Sequence, residues 1–180
     1  MSAADWRFFK VRPGNYPSRR IAAMSYLLLY YREEGLVDGL INSLNELAVD
    51  GLYRGLEECL LVAADGYWGW YLDFGLKAGG VVPALLGRER AADIVVNVLL
   101  PFAAARGRAE AHPELSEKAF DIYRRYPALA ANTIEKHMRR QLGLGRYPVN
   151  TACRQQGLLH IYKTRCSQGK CLGCPVSQER

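Results

Sequence analysis

The chain has 180 residues and 49% are apolar, which suits one domain with a proper core and excludes a disordered chain. Five cysteines are too few for a disulfide scaffold. The longest apolar stretch, residues 94–105, is too short to span a bilayer and contains Asn97 and Pro101.

The net charge of +6 is unevenly spread. Residues 1–105 carry ten Lys/Arg and twelve Asp/Glu, whereas residues 106–180 carry fourteen and six. A basic half suggests an anionic partner, nucleic acid being the commonest, and a solvated basic face is the plain alternative. Residues 1–12 hold Trp6, Arg7, Lys10 and Arg12 without the apolar run of a secretory leader. A reducing cytoplasm is therefore the expected setting, where clustered cysteines more often bind metal or do redox work than form bridges.

The pattern is helical nearly throughout, and only residues 6–11 alternate as a strand would. Pro17 suits the first turn of a helix ending near Arg32, with Asn15 or Ser18 available to cap it. Ile21, Met24, Leu27, Leu28 and Tyr31 recur at helical spacing and are expected to face the core. Gly35 breaks this helix. Residues 36–47 and 51–63 give two more, and Cys59, among Leu56, Leu60 and Leu61, reads as a buried thiol. Residues 65–75 interleave Tyr67, Trp68, Trp70, Tyr71 and Phe74 with glycine. They suit core packing, with base stacking or a pocket wall as the alternative.

Residues 87–106 form the most apolar helix, expected to be buried on most sides and kinked by Pro101, which frees the carbonyl of Asn97. Asn97 in that company needs a partner, and a local hydrogen bond is the expectation. Helices follow at 114–126, at 133–142 capped by Asn132, and at 152–162 capped by Asn150 or Thr151. Lys136, His137, Arg139 and Arg140 end the second of these, where cations suit the helix dipole as well as a nucleic acid.

The strongest chemical signal is the tail, Cys166-x4-Cys171-x2-Cys174-Pro175. Thiolates this close can converge on one metal ion. Through a helix to Tyr162, Cys153 lies roughly 14 Å from the helix end, far beyond a metal–sulfur bond of about 2.3 Å. His160, in the last turn, is the better fourth ligand and Cys153 the runner-up. The ion expected is one structural zinc. An iron–sulfur cluster ranks lower because only Cys153 could complete four thiolates. The alternative, three reduced thiols or a Cys166–Cys171 disulfide without metal, stays open.

Leu142-Gly143-Leu144-Gly145 resembles the loop of a helix-hairpin-helix, whose backbone N–H groups hold a DNA phosphate. Helical DNA-repair glycosylases join such a hairpin to a cysteine loop ending in Cys-Pro. Those enzymes use an acidic residue after the hairpin, and here no Asp follows Asp121 and the only Glu beyond Glu135 is Glu179. No P-loop, GxGxxG, GxSxG or HExxH is present, and His112, His137 and His160 are far apart. Whether the chain is an enzyme is left open, because no nucleophile–base pair is readable.

Three motifs in order, Arg12-Pro13-x-Asn15-x-Pro17-x-x-Arg20, Asn97-Val-Leu-Leu-Pro101 and Arg154-Gln155-Gln156-Gly157-Leu158 leading to the cysteine tail, resemble one bacterial family. It is known as domain of unknown function two-eight-five-one, and the resemblance runs from about Trp6 to Val176. Longer members carry a further N-terminal region, so the chain resembles the C-terminal portion of such a protein, or a short member. The resemblance implies no activity. It marks Arg12, Asn15, Arg20, Gln155 and Gln156, whose guanidinium and amide groups suit anion or ligand binding and equally suit tying a loop to a helix.

The expectation is an all-α fold, a single compact bundle of about seven or eight helices. Residues 1–150 form its core, and residues 151–180 add the final helix and cysteine loop, packed on the same domain. Its role would be a binding or accessory module without a membrane segment. Arg139, Arg140, Arg146 and Lys163 are the nucleic-acid candidates. A non-catalytic domain supporting an absent N-terminal catalytic region is one alternative, and a helical enzyme of unknown reaction is the other.

Overall fold

The computed structural model describes residues 16–47, 52–145, 149–172 and 174. Arg12, Asn15, Arg146 and the alternating stretch 6–11 lie outside the described residues. Contacts gather in two compact units, residues 1–91 and 92–180. The fold is mostly helical, with two small two-stranded sheets that the all-α expectation lacked.

In the first unit, α1 (Pro17–Tyr30) starts with its proline in the first turn, as the fixed φ of proline favours. Its N-cap is Tyr16, and no side chain caps it. The face it buries carries Arg19, Ala22, Ala23, Leu27 and then Tyr31. The expected stripe is only partly right, because Ile21, Met24 and Leu28 are 59%, 48% and 53% exposed. The cause is steric and polar together. Two alanines let α1 lie close on the short strands β1 (Val62–Ala63), β2 (Tyr71–Asp73) and β4 (Ala84–Leu86). Arg19 on the same face finds its partners there. Periodicity weighted by side-chain size favours the larger residues one step round the helix.

Helix α2 (Leu36–Glu46) buries Gly39, Leu40, Ile41 and Leu44. A Cβ on Gly39 would overlap the Tyr31 ring, so this crossing requires glycine. Helix α3 (Leu52–Glu58) stops well before residue 63. After the turn at Cys59 and Leu60 the chain extends, and Val62 pairs antiparallel with Leu86. A hairpin joins β2 to β3 (Leu76–Lys77). The aromatic stretch sits here and not in the core: Tyr67 stacks on Tyr71 with centroids 4.2 Å apart, and Tyr67, Trp70 and Phe74 are exposed. Hairpins two or three residues long are too small to cover both faces of such a cluster.

Helix α4 (Arg88–Ile94) leads into the second unit. A π turn, Val95–Leu99, interrupts it before α5 (Leu100–Ala109). Antiparallel packing brings α5 against α6 (Pro113–Arg125), and α8 (Ala152–Thr164) packs on both α6 and α7 (Thr133–Gln141). A Cβ on Gly107 would meet the His112 carbonyl and the Ser116 amide at 2.8 Å, so glycine sets the closeness of α5 and α6. Leu100, Ala103, Ala119, Ile122, Met138 and Leu158 form the core. Burial of 94–102 is less complete than expected, with Val98 58% and Phe102 45% exposed. The Asn132 side chain caps α7 by accepting from the Glu135 amide at 2.9 Å, and Thr151, not Asn150, caps α8. No helix among the described residues is long and apolar enough to cross a membrane.

Candidate functional site

The second unit carries a cleft built around the π turn. Proline at 101 has no N–H to continue the α-helical ladder, and the Leu100 amide bonds five residues back to the Val95 carbonyl. Asn97 lies in that turn and is exposed. Its Nδ2 donates to the Asp93 carbonyl at 2.8 Å, the local bond expected of it. Its Oδ1 also accepts from Gln156 Nε2 at 2.8 Å, across 59 residues of sequence. Two separate sequence motifs therefore meet at one pair of amides.

Asn97 and Gln156 line one end of a cavity of about 400 Å³. Leu100, Pro101 and Ala104 from α5, with Ala119, Phe120 and Tyr123 from α6, make its wall mostly apolar. Arg108 belongs to the same lining, with its guanidinium 5.1 Å from the Phe120 ring centroid. Burial pushes the Tyr123 phenol above its ordinary pKa, and Cys153 beside it adds to the shift. Sequence reasoning found Asn97 and Gln156 but not Arg108 or Tyr123. No motif carries the latter two, and only the α5–α6 packing brings them to the cleft.

Gln155 and Gln156 are neighbours with different work. Gln155 is 2% exposed. Its Nε2 donates to Glu135 Oε2 at 2.6 Å and to the Leu129 carbonyl at 3.1 Å, and its Oε1 accepts from the Leu129 amide at 3.1 Å. It ties the segment 127–132 to two helices, so its amide is consumed by structure. Glu135, 2% exposed, takes its other contact from Arg139 at 3.7 Å.

At the end of α7 an open concavity of about 640 Å³ is lined by Lys136, Arg139 and Arg140, with Gly143 and Gly145. Phosphate binding by the loop N–H groups has an obstacle here. The amides of Leu142, Gly143 and Leu144 donate to the carbonyls of Met138, Arg140 and Arg139. Lys163 is exposed in the last turn of α8 and is not among the residues of this concavity. Arg20 is exposed on α1 and belongs to neither lining.

The tail begins two residues past the end of α8, at a 3-10 turn, Cys166–Gln168. Lys170 donates back to the Arg165 carbonyl, and the Cys174 amide to that of Cys171. Cys174 is buried, Cys171 exposed and Cys166 half-buried, and all five cysteines stand as thiols. Cys59 is half-buried, less covered than expected. His160 is exposed on α8, and Cys153 lies in its first turn. Among the described residues no group of three or more His, Cys, Asp or Glu side chains converges to hold a metal ion.

The residue that the sequence reading passed over is Arg19. It is 1% exposed and donates to the carbonyls of Trp68, Tyr71 and Ala84, at 2.9, 2.5 and 3.1 Å. Burial lowers its pKa. A signal existed: Arg19, Ala23, Leu27 and Tyr31 follow at intervals of four, one stripe of a helix.

A mostly helical protein with an amide-ended cleft and a basic concavity is the class that these features define. The chain belongs to the family described as protein of unknown function (DUF2851), matched over residues 1–132. The match thus falls on the N-terminal part of this chain and stops short of Val176, to which the likeness was expected to run. Arg12, Asn15, Arg20 and Asn97–Pro101 lie inside it, whereas Gln155, Gln156 and the cysteine tail lie beyond it. No curated protein and no solved structure matches the chain.

Proposed function

We propose that this chain is a helical binding module whose C-terminal unit contacts nucleic acid through phosphates. The observation that supports this reading is the convergence of Lys136, Arg139 and Arg140 on one open concavity. Contact there is by side chains, since three of the loop amides already donate within the protein. Such binding is electrostatic and weakens as salt displaces it. Fluorescence anisotropy with a labelled 20-base-pair duplex, titrated across salt, tests it. The expected result is a falling log–log dependence whose slope drops by about 2 in the double variant Lys136→Ala, Arg140→Ala. Salt-insensitive binding, or a slope that the double variant leaves alone, overturns it.

In the same reading the tail is stapled by one zinc ion on Cys166, Cys171 and Cys174, with His160 or Cys153 fourth. The described conformation does not gather these groups, so the loop would close around the ion, as metal sites generally assemble with their metal. Metal analysis of anaerobically purified protein should give one zinc per chain, lost in Cys171→Ser. Metal-free wild-type protein removes the staple from the proposal.

A second reading, a domain that docks a further region of a longer family protein, has one observation in its favour. Ile21, Met24 and Leu28 lie exposed along α1. Ile21→Asp with Leu28→Asp should keep the fold and abolish co-purification with such a region, and unchanged co-purification rejects this surface.

A further inference from the structure

We propose that the cleft beside the π turn binds a small, elongated carboxylate, its apolar body between α5 and α6 and its acid group on Arg108. This site is separate from the basic concavity on α7, so failure of nucleic-acid binding leaves it standing. The cleft volume of about 400 Å³ falls in the range of small-molecule sites. Ala104, Ala105 and Ala119 leave the groove open, and Leu100, Pro101 and Phe120 make it apolar.

Charge complementarity chooses the ligand. Arg108 is exposed, lies over the Phe120 ring, and pairs with no carboxylate among the described residues. A guanidinium lying over a ring face keeps N–H groups with which to bond an anion in two places. The opposite end of the lining is neutral. Gln156 spends one N–H on Asn97, which leaves its carbonyl oxygen for a ligand hydroxyl or amide. Asn97 and Arg108 lie eleven residues apart on one helical run, about 16 Å of axial rise. The arginine side chain leans back toward the helix N-terminus and shortens that span. A molecule with one acid end and an apolar body can use the groove and the cation together, whereas a dicarboxylate would set its second charge against neutral amides.

The test is isothermal titration of the full chain with octanoate and 4-phenylbutyrate, each against its alcohol, 1-octanol and 4-phenylbutanol. Saturable one-site binding is expected, with each acid at least about tenfold tighter than its alcohol, as a charge-assisted bidentate contact supplies. Arg108→Gln should remove that preference while the alcohols bind as before. Ala105→Trp, at an exposed position of the lining, should weaken acids and alcohols alike. Melting curves check that both variants fold. Equal binding of acid and alcohol, no saturable binding of either acid, or undiminished binding in Ala105→Trp each overturns the proposal.

Discussion

In the first unit a cation, Arg19, reaches from α1 to three backbone carbonyls. In the second a neutral amide, Gln155, reaches from α8 to both backbone groups of Leu129 and to Glu135. Each is nearly fully buried and each joins segments far apart in sequence. The chemistry differs. A buried guanidinium must regain from carbonyl dipoles what it loses in hydration, and here its Nε has no hydrogen-bond partner. An amide matches a peptide group donor for acceptor and gives up far less water. The two ties should therefore break at different cost.

Arg19→Met is the harsher break. It takes a donor from each of three carbonyls that Arg19 reaches from α1, and methionine fills the space without replacing that donor. The expected loss is roughly 3–5 kcal/mol. Urea unfolding measures it, and Arg20→Met, one residue on but exposed, is the control expected to stay within about 0.5–1 kcal/mol. Equal effects at 19 and 20 would dissolve the distinction between the two arginines.

Gln155→Ala should cost about 2–3 kcal/mol, for the Leu129 peptide and the Glu135 carboxylate each lose a partner. Gln156→Ala should cost under about 1 kcal/mol, because its one bond, to Asn97, is exposed. If the two variants melt together, Gln155 is not the tie that its geometry indicates.

These pairs explain what could be read in advance. Helix positions from 88 onward, the Asn132 cap and the break at Gly35 followed from local rules, because capping and helix punctuation act over a few residues, while the choice between Asn150 and Thr151 did not. The buried face of α1 did not, since Ile21 and Met24 outrank Ala22 and Ala23 on any size-weighted pattern. Residues 59–86 were misread for a related reason: strands two or three residues long leave almost no alternation to detect. At the cleft, Asn97 and Gln156 stood in short motifs and were legible one at a time. Their meeting depends on the α5–α6–α8 packing, and so do Arg108 and Tyr123.

The mildest contrast is between two tyrosines, and alkali exposes it. Tyr31 in the first unit is 4% exposed. Burial pushes its phenol well above the ordinary 10.0, with Cys59 as a further cause, and its hydroxyl donates to the Cys59 carbonyl at 3.2 Å. Tyr123 in the second unit is only half-buried, and burial and Cys153 raise it in turn. A raised pKa means that the folded state keeps a proton which the unfolded chain releases above about pH 10. The stability from each phenol is thus whole below pH 10 and is lost as pH climbs toward the folded value. Urea midpoints should hold steady to about pH 9.5 and fall beyond it. Tyr31→Phe should lower stability by about 1 kcal/mol at neutral pH through the lost hydrogen bond, and should remove most of the alkaline slope. Tyr123→Phe should flatten it less. A larger change at Tyr123 than at Tyr31 would place the more strongly held proton in the C-terminal unit, beside the cleft.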